Sequence, residues 1–195
     1  MTDYKEIIDV LKKGGVILYP TDTVWGIGCD ATDEKAVARV FEIKRRSEAK
    51  SLVLLASDLD MVAMHVRQIP SIAIDLVEVN DAPMTIIYPG AQHLASNVVA
   101  EDGSVGIRIP YVEEDTGQGP ALFCRELVRR LRHPLVSTSA NISGEPTPKS
   151  FKEVSQEIKD AVDYVVSPKM EMGSTGRASQ IIKLGLDGEV QVIRQ

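Results

Sequence analysis

The sequence predicts a single domain of the α/β or α+β class built around one sheet. Short apolar runs that end at proline or glycine alternate with longer stretches whose apolar residues recur every three to four positions. The chain of 195 residues is long enough for one domain with a sizeable core, and its 44% hydrophobic and 26% charged content is ordinary for a globular protein. No internal repeat, low-complexity segment or domain linker interrupts this alternation, so we treat residues 1–195 as one domain.

Composition excludes several classes of protein. The formal net charge of −6 argues against coating nucleic acid through bulk charge but allows a local basic pocket. No apolar run approaches the roughly 20 residues of a membrane span, and the N-terminus lacks a signal-peptide pattern. Cys29 and Cys124 are too few for a disulfide framework, and the three histidines lack metal-ligand spacing. We therefore expect a cytoplasmic protein with no membrane partner.

In the first half of the chain, helical spacing over residues 3–13 predicts a helix that Gly14 and Gly15 end. The apolar run 16–19 predicts a buried strand that stops at Pro20, because proline cannot donate to a strand ladder. The segments that follow predict a strand at 24–29, a helix capped by Thr32 or Asp33, a strand at 52–56, and helices at 59–66 and 71–79.

The second half continues the alternation. Apolar runs predict strands at 84–88 and at 103–110, each stopped by a proline. Pro120 in a first turn and Pro134 beyond the end predict a helix at 120–132. A strand begins at 135, an amphipathic helix covers 150–162, and closing strands are expected near 165–166, 179–184 and 190–194.

A polar corner follows the first strand. Thr21, Asp22 and Thr23 would stand at a strand end with donors and acceptors free, while Gly26 and Gly28 would let a ligand or another strand come close. The alternative is a strand–turn–strand corner whose polar side chains bond their own backbone. The corner by itself leaves both interpretations open.

The basic cluster of Lys44, Arg46 and Lys50 is the best candidate for binding an anion. Arginine offers a planar fork for phosphate or carboxylate, and lysine offers a compact charge. The alternative is a solvated helix C-terminus, where basic residues complement the helix dipole. Charge alone favours that alternative.

Two further segments carry polar groups where a ligand could bind. Residues 137–141 place three hydroxyls and an amide just past a strand, which is either a ligand site at a strand end or an ordinary turn. Arg108 interrupts an apolar alternation, so its charge must face a ligand or pair with an acid.

Five segments, in order, resemble the motifs of the YrdC-like family, the threonylcarbamoyl-AMP synthases. The stretch 20–28 resembles the opening motif, and Lys44-x-Arg46 resembles the family's KxR motif. The remaining three segments are 104–110, 137–144, and the closing pair 179–182 and 192–194. The resemblance covers nearly the whole chain, and the length is similar to that of the short bacterial form.

This resemblance implies a twisted, largely parallel or mixed sheet flanked by helices, with a concave positive cavity. It implies a nucleotidyltransferase that joins L-threonine, bicarbonate or CO2, and ATP with Mg²⁺ into threonylcarbamoyl-AMP and pyrophosphate. The product would pass to proteins that transfer the threonylcarbamoyl group to tRNA. Direct binding of tRNA or double-stranded RNA would be weak.

The resemblance also assigns residues to roles. It implies that Lys44 and Arg46 are catalytic and that the ATP and its phosphates are bound by Lys44, Arg46, Lys50, Ser139, Asn141, Ser179 and Arg194. It implies threonine binding by Thr21, Arg108 and Thr138, and it assigns no metal ligand to the protein.

The chain departs from the family pattern at three positions: Trp25 stands where tyrosine is commoner, and Ser47 and Ser51 stand where proline is frequent. Two alternatives remain. One is a YciO-like module that binds nucleotide or RNA without making the adenylate, and the other is a domain that handles a carbamoyl adenylate, as in hydrogenase maturation proteins. Retention of Lys44, Arg46, Ser139 and Asn141 favours the synthase.

Overall fold

The computed structural model describes residues 3–47, 52–112 and 119–195. Within these ranges one sheet contains nine strands, in the order β7-β1-β2-β6-β3-β5-β4-β8-β9. The strands are β1 (Ile17–Pro20), β2 (Trp25–Gly28), β3 (Val53–Leu55), β4 (Met84–Tyr88), β5 (Val105–Arg108), β6 (Leu135–Ser139), β7 (Tyr164–Val165), β8 (Gln180–Leu184) and β9 (Val190–Arg194). Three neighbouring pairs are parallel and five are antiparallel. The expectation of a mixed sheet is thus confirmed, with antiparallel pairs in the majority among the described strands.

The helices are α1 (Tyr4–Lys12), α2 (Glu34–Lys44), α3 (Leu59–His65), α4 (Ser71–Val79), α5 (Pro120–Leu131) and α6 (Gln156–Ala161). Of the two cap candidates for α2, the structure selects Asp33, whose Oδ1 accepts from the backbone N–H groups of Lys35 and Ala36 at 3.0 and 3.1 Å. In the part of the chain that the structure describes, no helix is long and apolar enough to cross a membrane.

Two sequence predictions need correction. The single helix expected over 150–162 is a 3₁₀ turn at Phe151–Glu153 followed by α6, because the Ser155 Oγ accepts from the Ile158 N–H and starts a new helix there. The strand expected at 165–166 lies at Tyr164–Val165, in parallel register with Ile17 and Leu18 of β1.

Alternation along the central strands gives the sheet two different faces. In β4 the side chains of Ile86 and Tyr88 are buried in the core, whereas Thr85 on the other face lines a cavity. β5 repeats this pattern, since Ile107 joins the core and Arg108 lines the same cavity. Thr85 and Arg108 therefore face the cavity from the side of the sheet opposite to that of Ile86 and Ile107.

The glycine at position 28 is explained by strand packing. A Cβ added to Gly28 would lie 1.8 Å from the carbonyl oxygen of Val136 on β6. Of the two interpretations of this residue, close approach of another strand is the one that the structure supports. Gly26 instead lines the cavity.

Candidate functional site

A cavity of about 740 Å³ brings most of the predicted site residues together. Its wall includes Thr21, Arg46, Arg108, Thr138, Ser139, Ser179 and Arg194. Lys44 and Asn141 are not in this wall but lie behind it, and Lys50 and Ser51 fall outside the described residues. The site is thus assembled from both ends and the middle of the chain.

The Thr21 side chain is committed to its own turn. Its Oγ1 accepts from the N–H groups of Thr23 and Val24 at 3.1 and 3.2 Å, and it bonds to the Val24 carbonyl at 2.8 Å. Of the two interpretations of this corner, the structure supports for Thr21 the one in which the side chain bonds the backbone of its own turn. The same turn nevertheless forms part of the cavity wall, where Thr23 and Val24 join Thr21.

A second segment holds this corner from outside. The Ser174 hydroxyl donates to the Thr21 carbonyl at 2.5 Å, and the N–H groups of Thr175 and Gly176 donate to the next two carbonyls, those of Asp22 and Thr23, at 2.8 Å each. Three consecutive carbonyls are thereby bonded to three consecutive residues. The backbone of the corner has little freedom to move.

Arg108 is both paired and part of the cavity wall. Its Nη1 contacts Oδ1 of Asp22 in a buried ion pair, in which the arginine is 3% and the aspartate 6% exposed. The two interpretations of this charge, a salt bridge and a ligand contact, are therefore compatible in this structure. A buried guanidinium without such a partner would be strongly destabilising.

At the end of α2, the side chains of Arg45 and Arg46 point to different environments. Arg45 adopts a left-handed conformation with φ of 49°, and its exposed side chain pairs with Glu157. This turn sends the next residue, Arg46, to the cavity wall, and burial lowers the pKa of its guanidinium. Adjacent arginines thus have opposite environments.

Lys44 is buried, so the interpretation of this residue as part of a solvated helix end was wrong. It is 1% exposed, and its Nζ contacts the carbonyl of Ser139, the carbonyl of Asn141 at 2.8 Å and Oδ1 of Asn141 at 3.3 Å. Its own carbonyl accepts from the N–H of Ser143 at 2.8 Å. Desolvation, and secondarily the nearby charge of Arg46, lowers the pKa of Lys44 to about 8. Lys44 therefore holds the loop that presents Ser139.

The far wall of the cavity is a hydroxyl and guanidinium network. Ser179 Oγ bonds to Oγ1 of Thr85 at 2.7 Å, and Nε and Nη2 of Arg194 donate to the Ser179 carbonyl at 2.9 and 2.7 Å. Nearby, Lys183 Nζ bonds to Oδ2 of Asp102 at 2.5 Å. This bond and those from Ser104 hold the pKa of the Asp102 carboxyl at about 2.

Sequence reasoning missed three of these residues: Thr85, Asp102 and Lys183. The signal that could have found Thr85 is its place as a polar residue in an otherwise apolar strand, and the signal for Lys183 is its place between apolar residues of the predicted strand 179–184. Asp102 lies in a loop and carries no such signal.

The described residues equip the cavity to bind anions rather than to attack a substrate covalently. Four basic residues line it, Arg46, Arg108, Lys183 and Arg194, against the acidic Glu101 and Asp102. Desolvation raises the pKa of the thiols of Cys29 and Cys124, so neither is an activated nucleophile. Within the described ranges no cluster of three or more histidine, cysteine, aspartate or glutamate residues could hold a metal ion.

Solved structures resemble this fold along nearly its whole length. The Sua5 protein of P. abyssi in complex with L-threonine superposes with a TM-score of 0.78 at 24% identity, covering 93% of this chain and 50% of that one. The E. coli protein YciO superposes with a TM-score of 0.79 at 23% identity, covering 98% of this chain and 88% of that one. These likenesses establish the fold.

Sequence comparisons are more specific. Relatives named threonylcarbamoyl-AMP synthase are 32% identical to this chain: the Idiomarina loihiensis protein over 183 residues, with 92% of this chain and 90% of that one covered, and the Xanthomonas euvesicatoria protein over 195 residues, with 98% and 97% covered. The Sua5/YciO/YrdC family, described as "Telomere recombination", matches residues 9–195. The chain therefore belongs to the Sua5/YciO/YrdC family.

Proposed function

We propose that this protein is a threonylcarbamoyl-AMP synthase that uses L-threonine, bicarbonate or CO2, and ATP. The names of its relatives support the activity. The observation that carries the proposal is that one cavity contains a buried, aimed guanidinium, Arg108, together with Arg46 and the Ser179–Arg194 network. Such a cavity offers separate positions for a carboxylate and for a polyphosphate.

The reaction needs two bonds to form in sequence. The threonine nitrogen attacks the carbon of CO2 and loses a proton, which gives a carbamate. A carbamate oxygen then attacks the α-phosphorus of ATP, and the bond to the β-phosphate oxygen breaks, which releases pyrophosphate. Neither step needs a covalent bond to the protein, so catalysis rests on positioning and on stabilisation of negative charge.

The described residues suit these two tasks. Arg108 and Thr138, next to the Thr21 turn, bind the amino acid, while Arg46 and Ser139 contact the phosphates. Ser179 and Arg194 contact the nucleotide from the far wall. Lys50 is proposed to extend the phosphate site. Glu101 and Asp102 in the cavity wall would hold a Mg²⁺ ion carried by the ATP, because one or two carboxylates suffice for Mg²⁺ beside phosphate oxygens, and the ion would offset the charge of the phosphates.

Lys44 and Asn141 support this site from behind. The ammonium of Lys44 fixes the carbonyls on both sides of the loop, and Asn141 Nδ2 donates to the Glu145 carbonyl at 2.7 Å. Together these contacts hold the backbone of residues 139–141 in place. Any direct contact of Lys44 with phosphate requires exchange of these bonds.

We place the protein in the cytoplasm, upstream of the proteins that transfer the threonylcarbamoyl group to tRNA. With a net charge of −6, its own affinity for tRNA should be weak and sensitive to salt, because binding through phosphates needs basic contacts. Tight, salt-resistant tRNA binding without turnover would instead indicate a YciO-like binding module.

The direct test is incubation with L-threonine, bicarbonate and ATP-Mg²⁺, with pyrophosphate and the adenylate measured together. Release of pyrophosphate should require threonine and bicarbonate at once, because the nucleophile toward phosphorus is their carbamate. Equal release with either one omitted would refute this order of chemistry.

Substitution of Arg46 tests the phosphate site, with its neighbour Arg45 as the matched control. Arg46→Ala should reduce turnover at least about tenfold, since charge-assisted bonds are worth roughly 1.5–3 kcal/mol each and 1.36 kcal/mol is a factor of ten. Arg46→Lys should restore only part of it, because an ammonium lacks the planar fork. Arg45→Ala should leave turnover intact, because that side chain is exposed and paired with Glu157. Equal losses of turnover in Arg46→Ala and Arg45→Ala would show that Arg46 has no specific role in binding phosphate.

A further inference from the structure

Asp22 lies behind the cavity wall, in contact with the guanidinium of Arg108. Its Oδ1 contacts Nη1 of that arginine, and the residue itself is 6% exposed and not part of the cavity lining. The family resemblance assigned no role to this aspartate. Its position shows that any effect on a ligand must pass through Arg108.

The carboxylate of Asp22 is held rigidly. Its backbone carbonyl accepts from the N–H of Thr175 at 2.8 Å, between two further bonds that fix Thr21 and Thr23. Its second oxygen, Oδ2, is buried without a hydrogen-bond partner in the described part of the chain. The backbone therefore fixes the direction of the carboxylate, and among the described residues it contacts the guanidinium of Arg108.

This arrangement balances charge while leaving donors available. A guanidinium has five N–H donors, and in the described ranges the hydrogen bond recorded for the Arg108 side chain is the one from Nη1 to Asp22. Because the Arg108 side chain lines the cavity, the pair presents N–H groups to a ligand with little net charge. Arg108 therefore contributes oriented hydrogen-bond donors to ligand binding more than it contributes net electrostatic attraction.

We propose that Asp22 is a positioning residue that aims Arg108 and neutralises it, so that this end of the cavity takes the carboxylate of an amino acid and rejects phosphate. The proposal rests on the proposed function and adds the basis of selection between its two anionic substrates. A lone guanidinium attracts the ligand with more negative charge, which is ATP or pyrophosphate. A neutralised guanidinium retains the geometric match of its fork to a planar carboxylate.

Asp22→Asn tests this, since it keeps the shape and one oxygen for Nη1 but removes the charge. We expect the KM for threonine to rise at least about fivefold while the KM for ATP stays within about twofold, because the fork loses its charged anchor. We also expect inhibition by pyrophosphate to become at least about threefold tighter, because an uncompensated cation now faces the cavity. A purely structural role for Asp22 would not strengthen pyrophosphate binding.

Asp163→Asn is the matched control, because it removes one carboxylate charge from an ion pair, that with Arg39, whose residues do not line the cavity. It should not raise the KM for threonine. An unchanged threonine KM in Asp22→Asn, or unchanged or weaker inhibition by pyrophosphate, would overturn the proposal.

Should Asp22→Asn fail to fold, Arg108→Lys decides, because it keeps the pair neutral and removes the fork. It should raise the threonine KM without tightening pyrophosphate inhibition, and tighter inhibition would overturn the proposal.

Failure of the proposed function can be told apart from failure of this proposal. A wild-type protein that releases no pyrophosphate refutes the synthase, while calorimetric titration of pyrophosphate into wild type and Asp22→Asn still measures the charge balance.

Discussion

Replacing Lys44 with methionine should both destabilise the fold and disturb the active site. Methionine retains the length of the aliphatic stem but removes the ammonium that contacts the carbonyls of Ser139 and Asn141. Those acceptors lie in a loop 95 and 97 positions further along the chain, so the lysine joins distant segments. The substitution therefore tests the contribution of one buried cation to the geometry of the cavity.

The expected loss follows from the two acceptors. The Asn141 carbonyl loses its donor, which costs about 1–3 kcal/mol, whereas the Ser139 carbonyl keeps the N–H of Asn141 at 2.9 Å. A net loss of roughly 1–3 kcal/mol is expected, which corresponds to about 2–12 °C in Tm for a protein of this size. Turnover should fall as well, because the loop that presents Ser139 loses its anchor.

Thermal and urea unfolding of Lys44→Met, with Lys35→Met as the control, provides the assay. Lys35 belongs to the same helix but is exposed. The control should stay within about 0.5 kcal/mol of wild type, as surface substitutions usually do. Equal stability of the two variants would refute the assignment of a structural contact to the Lys44 ammonium.

The pH dependence gives a second readout of the same residue. The pKa of Lys44 is lowered to about 8 in the fold from an ordinary value of 10.5, so between these values the unfolded chain binds more protons than the native one. Native stability must then rise with pH across this window. The free energy of unfolding of wild type, relative to Lys44→Met, should gain up to about 3 kcal/mol between pH 8 and 10.5. Parallel curves for the two proteins would contradict the lowered pKa.

Two further substitutions test the packing around the site. Gly28→Ala should cost at least about 3 kcal/mol in urea unfolding, because its Cβ would lie 1.8 Å from the Val136 carbonyl oxygen and a strand must shift; a loss below about 1 kcal/mol would contradict that close approach. Glu171→Ala removes the acceptor of the Trp25 indole N–H, 2.6 Å away, and should change the fluorescence of this single tryptophan and destabilise the protein by about 1–3 kcal/mol. An unchanged emission spectrum would argue against that bond.

The strands and helices were predictable because local signals determine them. Apolar runs ending at proline or glycine predicted β1 and β4, periodic apolar residues predicted α1, and two flanking prolines predicted α5, each to within two residues. Strand order was not predictable in this way, because the pairing of β6 with β2 and β3 joins residues at least 80 positions apart. Local patterns contain no information about such pairings.

The site shows the same division. The motifs identified Arg46 and Arg108, and the structure places both in one cavity. Arg45 and Arg46 face different environments because Arg45 adopts a left-handed conformation at the end of α2. The sequence gives no local signal for that conformation. The burial of Lys44 depends on a segment almost 100 positions away, so charge alone wrongly favoured a solvated helix end for this residue. The sequence therefore predicted which arginines lie at the cavity better than it predicted the contacts that each basic side chain makes.

The strand β9 gives the cavity a wall with an unusual property. All five of its residues are exposed, it pairs with β8 alone among the described strands, and yet it supplies Gln191, Ile193 and Arg194 to the cavity. Edge segments with few buried contacts separate from a native protein at a small fraction of the free energy of global unfolding. Fraying of this strand would uncouple the far wall while the core beneath α5 stayed intact. One wall of the cavity therefore depends on the pairing of β8 with β9, whose loss would be a local event rather than global unfolding.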